Sequence, residues 1–371
     1  MRIEQIRKSK VRPKTLTETK PLPHAKSGAQ QMTEQKKECN RNLGICIPTY
    51  NRVEKLKKTL AMWISAVKEY SVPIYISDNA SPDDTESVVK DAQKEYPYIF
   101  YSRNETNIGP DKNFEKVLKF ADTKYRWLMG DDDKLDRGSI SDILRYTEMD
   151  FDIIMLNFPT FKYYAETKMI SDINELMRDF GSRMTFMSTI IFNERLIKSE
   201  RFIEVYNSEF SKLNFAHLAA AFCYLADGLP HTVYFLADVS LNTISTEKVS
   251  WEHLTLQYFI NNLSKTVSML PDCYTQESKD AVCQNILKVC WGWRSYVFHI
   301  FNVRIARCLT LRWYFKSLKN IKRVFNFGQR LLIFCAAISP RFIIRAIVKY
   351  YDKKRVRRRN AETVTENNKE I

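Results

Sequence analysis

The strongest constraint on this chain is an alternation of two hydrophobic periods between residues 43 and 129. LGICI (43–47) is a short apolar run stopped by Pro48, and the next segment, VEKLKKTLAMWISAVKEY (53–70), carries Val53, Leu56, Leu60, Trp63, Val67 and Tyr70 at steps of three and four. The first pattern is that of a buried strand, the second that of an amphipathic helix. The pair recurs. VPIYIS (72–77) precedes a helix marked by Val88, Val89, Ala92 and Tyr96, YIFYS (98–102) precedes one marked by Phe114, Val117, Leu118 and Ala121, and YRWLM (125–129) opens the next unit. Strands separated by helical crossovers pair in parallel, so the expected class is α/β, a mostly parallel twisted sheet with helices on both faces. In such a sheet the loops leaving the carboxyl ends of the strands share one edge, where ligands bind. PTYNR, DNAS, NIGPD and GDDD are the loops brought together there.

The last of these lies in RWLMGDDDKL (126–135). Its adjacent carboxylates, Asp131, Asp132 and Asp133, repel one another unless a cation sits among them. The first loop has neither the GxGxxG nor the GxxxxGK[ST] pattern that holds a pyrophosphate on backbone amides. A divalent metal on one or two carboxylates, with phosphate oxygens and water in its other positions, would satisfy both the acids and an anionic ligand. Taken singly, an acidic run is more often a solvated loop or helix cap, and DNASP (78–82) is ordinary turn chemistry. The convergence of four loops is what favours a ligand site.

The chain is 371 residues long and basic, with 58 Lys+Arg against 43 Asp+Glu, which points to anionic partners. That excess concentrates in the two chain ends and no nucleic-acid motif accompanies it, so a nucleic-acid partner is not expected. The eight cysteines form no CxxC pair, which speaks against a zinc site or a disulfide framework and suits a reducing compartment. MRIEQIRKSKVRPKTL contains no signal-like apolar stretch, giving a cytoplasmic expectation.

IPTYNR, SDNASPDDT, NIGPDKNF and GDDD, in this order and spacing, resemble the nucleotide-sugar glycosyltransferases of family 2, which have the GT-A fold, and within them most resemble the abequosyltransferase-like branch of bacterial surface polysaccharide (O-antigen or capsule) synthesis. The resemblance implies a Mg²⁺- or Mn²⁺-dependent, inverting transfer of one sugar from a nucleoside-diphosphate donor to a glycan acceptor, such as a lipid-diphosphate-linked oligosaccharide. It assigns Pro48, Thr49, Tyr50, Asn51, Glu54 and Asp78 to the base and ribose, and Asn107, Gly109 and Asn113 to a loop closing over the nucleotide, with Lys112 where an arginine is common. Asp131 and Asp132 fall to the ribose and metal-bound water, Asp133 is the direct metal ligand with Asp131 as its partner, and Gly130 stands where relatives often carry another acid. The family's catalytic base is an acid opening a helix in the second half. Counting back from Gly228 puts His217 there, with Glu209 and Asp227 as substitutes; the bland alternative for His217 is a helix-start residue with a satisfied hydrogen bond. Trp251 in STEKVSW is a candidate acceptor-stacking residue or an inward-packed ring, and MTFMSTIIF (184–192) reads as a core strand.

The organisation expected from these readings is a disordered basic leader (1–41), a GT-A domain (42–260) with a nucleotide-sugar half (42–160) and an acceptor half (161–260), a basic helical extension (261–359) and a disordered tail (360–371). In the extension Arg341, Arg345, Lys349 and Lys353 line one helix face, while Ile343, Ile344, Ile347 and Tyr351 lie on others. LLIFCAAI (331–338) is about half of the roughly 20 apolar residues that a membrane span requires, so the expectation is a helix lying on an anionic membrane surface, the protein being peripheral on the inner face. A helical packing region with a solvated basic face is the alternative. A carbohydrate-binding or scaffold protein on the same fold would explain all of this except a working metal and base.

Overall fold

The structure is a computed structural model that describes residues 39–158, 166–243, 252–290, 293–351 and 353. Four strands, β1 (Leu43–Thr49), β2 (Ile74–Asp78), β3 (Ile99–Arg103) and β4 (Tyr125–Leu128), pair in parallel in the order β3-β2-β1-β4. The crossovers are α1 (Val53–Val67), α2 (Thr85–Glu95) and α3 (Pro110–Phe120). Every residue of β1, β2 and β4 is buried, as expected where helices cover both faces of a sheet. On α1 the buried stripe is Leu56, Leu60, Trp63, Ile64 and Val67, and Trp63 meets Trp127 of β4 edge to face with centroids 5.2 Å apart.

Beyond β4 the sheet continues as β8-β6-β9-β5, with β5 (Asp133–Arg137), β6 (Ile153–Asn157), β8 (Ile190–Asn193) and β9 (Val233–Thr243); β7 (Lys168–Ile170) also pairs with β9. β8 is antiparallel to β4 and β6, β6 and β9 are parallel, and β5 and β7 are antiparallel to β9. The sheet is therefore mixed, with six of its nine strands in one direction, in keeping with the mostly parallel sheet that the sequence leads one to expect.

Three local expectations are corrected. The acidic run is not all loop, because Asp133 is the first residue of β5, whose polar DKLDR has no apolar pattern and is extended by pairing with β9. MTFMSTIIF is a strand only from Ile190; Arg183–Thr185 and Met187–Thr189 are tight 3₁₀ turns. Cys39 to Arg41, assigned to the leader, are in the fold: Cys39 is buried, the Asn40 amide donates to the Ser71 carbonyl at 2.8 Å, and Arg41 pairs with Asp122 at 3.0 Å. The rest of the leader (1–38) and the tail (360–371) lie outside the described residues.

The second half adds α4 (Ile140–Thr147), opened by a Ser139–Asp142 capping box, and α5 (Ala216–Leu225). A π-helical turn, Gln257–Asn262, leads into α6 (Leu263–Ser268), followed by α7 (Gln276–Cys290), α8 (Trp293–Ile305), α9 (Leu311–Lys316), α10 (Leu318–Val324), α11 (Phe327–Ile338) and α12 (Arg341–Tyr351). Leu263, Val282, Ile286, Ile300, Ile321 and Ile333 join one apolar cluster with the sheet residues, so the helical extension is packed on the sheet domain's own core. Among the described residues no single helix is long and apolar enough to cross a membrane; α11 and α12 pass that test only together, bent by 116°.

Candidate functional site

The acidic run meets its cation inside the chain. Arg52, at the end of PTYNR, forks across two neighbouring acids, Nη1 donating to Asp131 Oδ1 and Nη2 to Asp132 Oδ2, and Lys55 Nζ lies 3.5 Å from Asp132 Oδ2. Position 131 follows β4 and position 52 follows β1, adjacent parallel strands, which is why residues about 80 apart in sequence pair. Thr49 Oγ1 donates to Asp131 Oδ2 at 3.0 Å, and Thr59 Oγ1 of α1 donates to the Asp131 carbonyl at 2.7 Å. Burial pushes the Asp131 carboxyl up to about 6, against the opposing pull of Arg52.

Asp133 is held differently. Ser188 Oγ donates to its Oδ2 while accepting from the Gly130 amide at 2.9 Å, and Trp63 Nε1 donates to its carbonyl at 3.2 Å. Burial pushes its carboxyl up to about 7; the Ser188 bond lowers it, and Asp132 and Asp131 raise it further. A Cβ at position 130 would lie 3.0 Å from the Asp133 carboxyl carbon and closer still to Oδ2, so any side chain there requires the Asp133 carboxylate to shift.

The remaining loops of this edge are rigidly cross-linked. Asp78, fully buried, accepts from the Ser81 amide at 2.9 Å, Tyr101 Oη at 2.7 Å and Arg103 Nη1 at 2.8 Å. Asn79 bridges the second and third loops, donating to Asn107 Oδ1 (2.9 Å) and the Gly109 carbonyl (3.2 Å) and accepting from the Ile108 amide (2.9 Å). Asn113 is buried against β2, with Ser77 Oγ donating to it at 2.7 Å, so it braces α3. Gly109 takes a φ of +84° just before Pro110 opens α3, a conformation that favours glycine. Pro48 and Thr49 are buried, Tyr50, Asn51 and Glu54 are exposed, and Lys112 pairs with Glu115 at 2.8 Å.

The structure thus brings the PTYNR, DNAS, NIGPD and GDDD residues to one edge, but it does not bring His217 to a surface. His217 is 2% exposed, its Nε2 lies 3.3 Å from the Thr185 carbonyl, its Nδ1 has no partner, and Phe114 packs edge to face against the ring. Burial lowers it to about 4. A general base needs hydrogen-bond reach to the proton it removes, and in this interior position the imidazole packs as a core group, so the geometry lends the expected base role no support. The substitutes fare no better: Glu209 is paired with Lys265, and Asp227 follows the far end of α5 and meets His231 Nε2 at 2.7 Å. The group at the start of α5 is Asp111, from NIGPD, which accepts from the Asn214 amide at 2.7 Å and the Ala216 amide at 3.2 Å and is pushed by burial up to about 7. Trp251 lies outside the described residues.

Sequence reasoning missed Arg52, Asn79 and Ser188. The signal for Arg52 was present, since the acidic run called for a cation and arginine closes the quoted PTYNR loop. Ser188 left no local trace.

Among the described residues no three His, Cys, Asp or Glu side chains converge as a closed metal cage. The donor set suits an open site instead: carboxylates driven by burial toward protonation are ones that a hard divalent cation, held by one or two of them and completed by phosphate oxygens, would stabilise in ionised form.

The profile of glycosyl transferase family 2 matches residues 44–201, the span that contains all four loops. The abequosyltransferase RfbV of Salmonella typhimurium is 37% identical over 115 residues, 30% of this chain and 34% of that protein. The GalNAc(5)-diNAcBac-PP-undecaprenol beta-1,3-glucosyltransferase of Campylobacter jejuni is 33% identical over 104 residues, 28% of this chain and 33% of that protein. The aligned part of each curated relative is about a third of its length. Among solved structures, S. aureus TarS 1–349 superposes with a TM-score of 0.47 at 14% identity, covering 84% of this chain and 91% of that one. The mannosyltransferase PcManGT of Pyrobaculum calidifontis, solved with GDP-Man and Mn²⁺, gives 0.47 at 12%, covering 88% and 95%. Residues 44–201 of this chain are thus similar to glycosyl transferase family 2.

Proposed function

We propose that this protein transfers one sugar from a nucleoside-diphosphate donor to a hydroxyl of a glycan acceptor carried on a lipid diphosphate, in bacterial surface polysaccharide synthesis, with inversion at the anomeric carbon. The observation that carries the proposal is the gathering of four family loops, with buried carboxylates and Arg52, at the carboxyl edge of β1–β4. In the reaction the acceptor oxygen bonds to the anomeric carbon, the bond to the diphosphate breaks, the electron pair leaves with the nucleotide, and the hydroxyl proton passes to a base. Pro48 to Asn51, Glu54 and Asp78 form the nucleoside side, with Asp78 held in place by Tyr101 and Arg103. Asn107, Gly109 and Asn113 set the closing loop through Asn79. Asp133, with Asp131 and Asp132 beside it, would hold Mg²⁺ or Mn²⁺, which when bound neutralises charge on the leaving diphosphate. With a cation among the acids, Arg52, now paired with Asp131 and Asp132, would be free to pair with a phosphate oxygen instead. Trp251, outside the described residues, is the candidate to stack on an acceptor sugar.

In this proposal α11 and α12 lie on the cytoplasmic face of an anionic membrane. Phe327 (72% exposed), with Arg330 against its ring, and Phe342 (73% exposed), on the helix that also carries Arg341, Arg345 and Lys349, give an apolar and cationic mixture suited to a headgroup boundary. Sedimentation with vesicles separates this from simple packing: binding should require anionic lipid and fall in a Phe327→Ser/Phe342→Ser variant.

The test of the function is a panel of nucleotide sugars incubated with the purified chain, Mn²⁺ and a lipid-diphosphate oligosaccharide. One donor should be consumed with a new glycan product, and Asp133→Ala should abolish it. Absence of both donor turnover and nucleoside-diphosphate binding would end the proposal, whereas binding without turnover under all conditions would make the chain a binding protein on this fold.

A further inference from the structure

A cavity of about 1050 Å³ is lined by the π turn Gln257–Asn262, α6, α7, α9, α10 and Leu213, and none of its lining residues belongs to the four loops. Its size is at the top of the roughly 300–1,000 Å³ range of small-molecule sites. Its walls are unusual for a gap between packed helices, where apolar side chains are expected.

One wall is a ladder of side-chain amides already oriented by each other. Asn320 Nδ2 donates to Asn261 Oδ1 (3.1 Å), Asn261 Nδ2 to Gln257 Oε1 (2.9 Å), Gln257 Nε2 to Asn262 Oδ1 (3.0 Å) and Asn262 Nδ2 to Asn214 Oδ1 (2.9 Å). The π turn makes this possible: in an α-helix residues five apart point about 140° away from each other, whereas the wider turn lets Gln257 and Asn262 meet. Asn261 Nδ2 also donates to Ser317 Oγ (2.9 Å) and Gln257 Oε1 takes a second bond from Trp313, but the NH₂ groups of Gln257, Asn262 and Asn320 each donate once, and the carbonyls of Asn261, Asn262 and Asn214 each accept once within the ladder, so the wall keeps capacity of both kinds. The half-buried Trp313 lines the same cavity, held by its Nε1 donating to Gln257 Oε1 at 3.2 Å. Planar amides offering donors and acceptors beside a fixed aromatic face match vicinal hydroxyls and the apolar face of a sugar ring.

The cavity also carries a cationic surplus. Arg323 is paired with Asp280 and Lys265 with Glu209, but Lys316 and Lys319 pair with no acid among the described residues. We infer that the cavity is a second carbohydrate site, separate from the four-loop edge, which binds an oligosaccharide segment bearing an anionic group such as a uronate. The amide ladder and Trp313 hold the sugar, and Lys316 and Lys319 hold the anion. The inference does not depend on the proposed transfer reaction.

The test is calorimetric titration of the full chain with trigalacturonate, maltotriose and inorganic phosphate. Trigalacturonate should bind in the millimolar range or tighter, and more tightly than the neutral trisaccharide or phosphate. In Lys316→Ala/Lys319→Ala, two exposed positions whose loss leaves the core intact, its affinity should fall by about fivefold or more. The affinity should persist in Asp133→Asn, which separates this cavity from the four-loop edge. No trigalacturonate binding at millimolar concentration, an unchanged affinity in the double lysine variant, or phosphate binding as tight as the acidic trisaccharide would each overturn the inference.

Discussion

Asp133→Asn removes one charge from the acidic turn while keeping the shape of the side chain and an oxygen for Ser188 to bond. Its consequence for stability follows from the buried carboxyl, raised to about 7 in the folded chain against the ordinary carboxylate value of about 3.9 when unfolded. The sign is that of a raised acid. Below pH 4 both states bind the proton and the site is neutral in effect; as pH rises toward 7 the unfolded chain releases its proton first, and the fold loses stability. The difference of about three pH units corresponds to a ceiling of about 4 kcal/mol at pH 8, shrinking to about 1.5 kcal/mol at pH 5. Asparagine carries none of this penalty, so in chelator at pH 8 the variant should melt about 3–6 °C higher than the native chain, and the gain should narrow at pH 5. Donor turnover should disappear in the same variant, and Mn²⁺ binding followed by paramagnetic resonance should weaken. Under the proposed function, the buried charge that Ser188 only partly offsets is the cost of holding a carboxylate ready for a cation. An Asp133→Asn chain no more stable than the native one at pH 8, or a gain that does not change with pH, would refute the reasoning.

Arg52→Met takes the cation from Asp131 and Asp132; the Asp131 carboxyl should climb above its present value of about 6, and urea unfolding at pH 8 should show a loss of about 2 kcal/mol. Gly130→Ala drives a methyl into the Asp133 carboxyl and should lower both the melting temperature, by about 1–3 kcal/mol of stability, and turnover. His217→Leu should keep turnover within about threefold, because the imidazole is a core group without a substrate path. Its buried neutral ring, lowered to about 4, makes the native chain lose up to about 3 kcal/mol as pH falls from 6.5 to 4, and acid titration of the variant should lack that component.

Much of the segment 43–129 was legible because its information is local. The run LGICI and the stripe Leu56, Leu60, Trp63 and Val67 each state which face is buried, and the strands and helices fall within a few residues of the expected ranges. The loops followed from topology, since parallel strands order their carboxyl ends along one edge. Arg52 was half legible: the need for a cation showed in the acids, while its choice over Lys55 as the forked partner came from reach and geometry.

The second half was less readable. DKLDR is a strand only because the long β9 lies beside it, and the bends at residues 183–189 exist to deliver Ser188 to Gly130 and Asp133, contacts 55 or more residues apart. His217 sat at the position expected for a base, yet Thr185 and Phe114 close over it. Period and motif in the chain determined the parallel core and the four loops that it gathers at one edge. Tertiary packing alone decided which polar groups lose water and which partners reach them, because desolvation and long-range pairing depend on what the folded chain places around a residue, and no stretch of sequence carries that by itself.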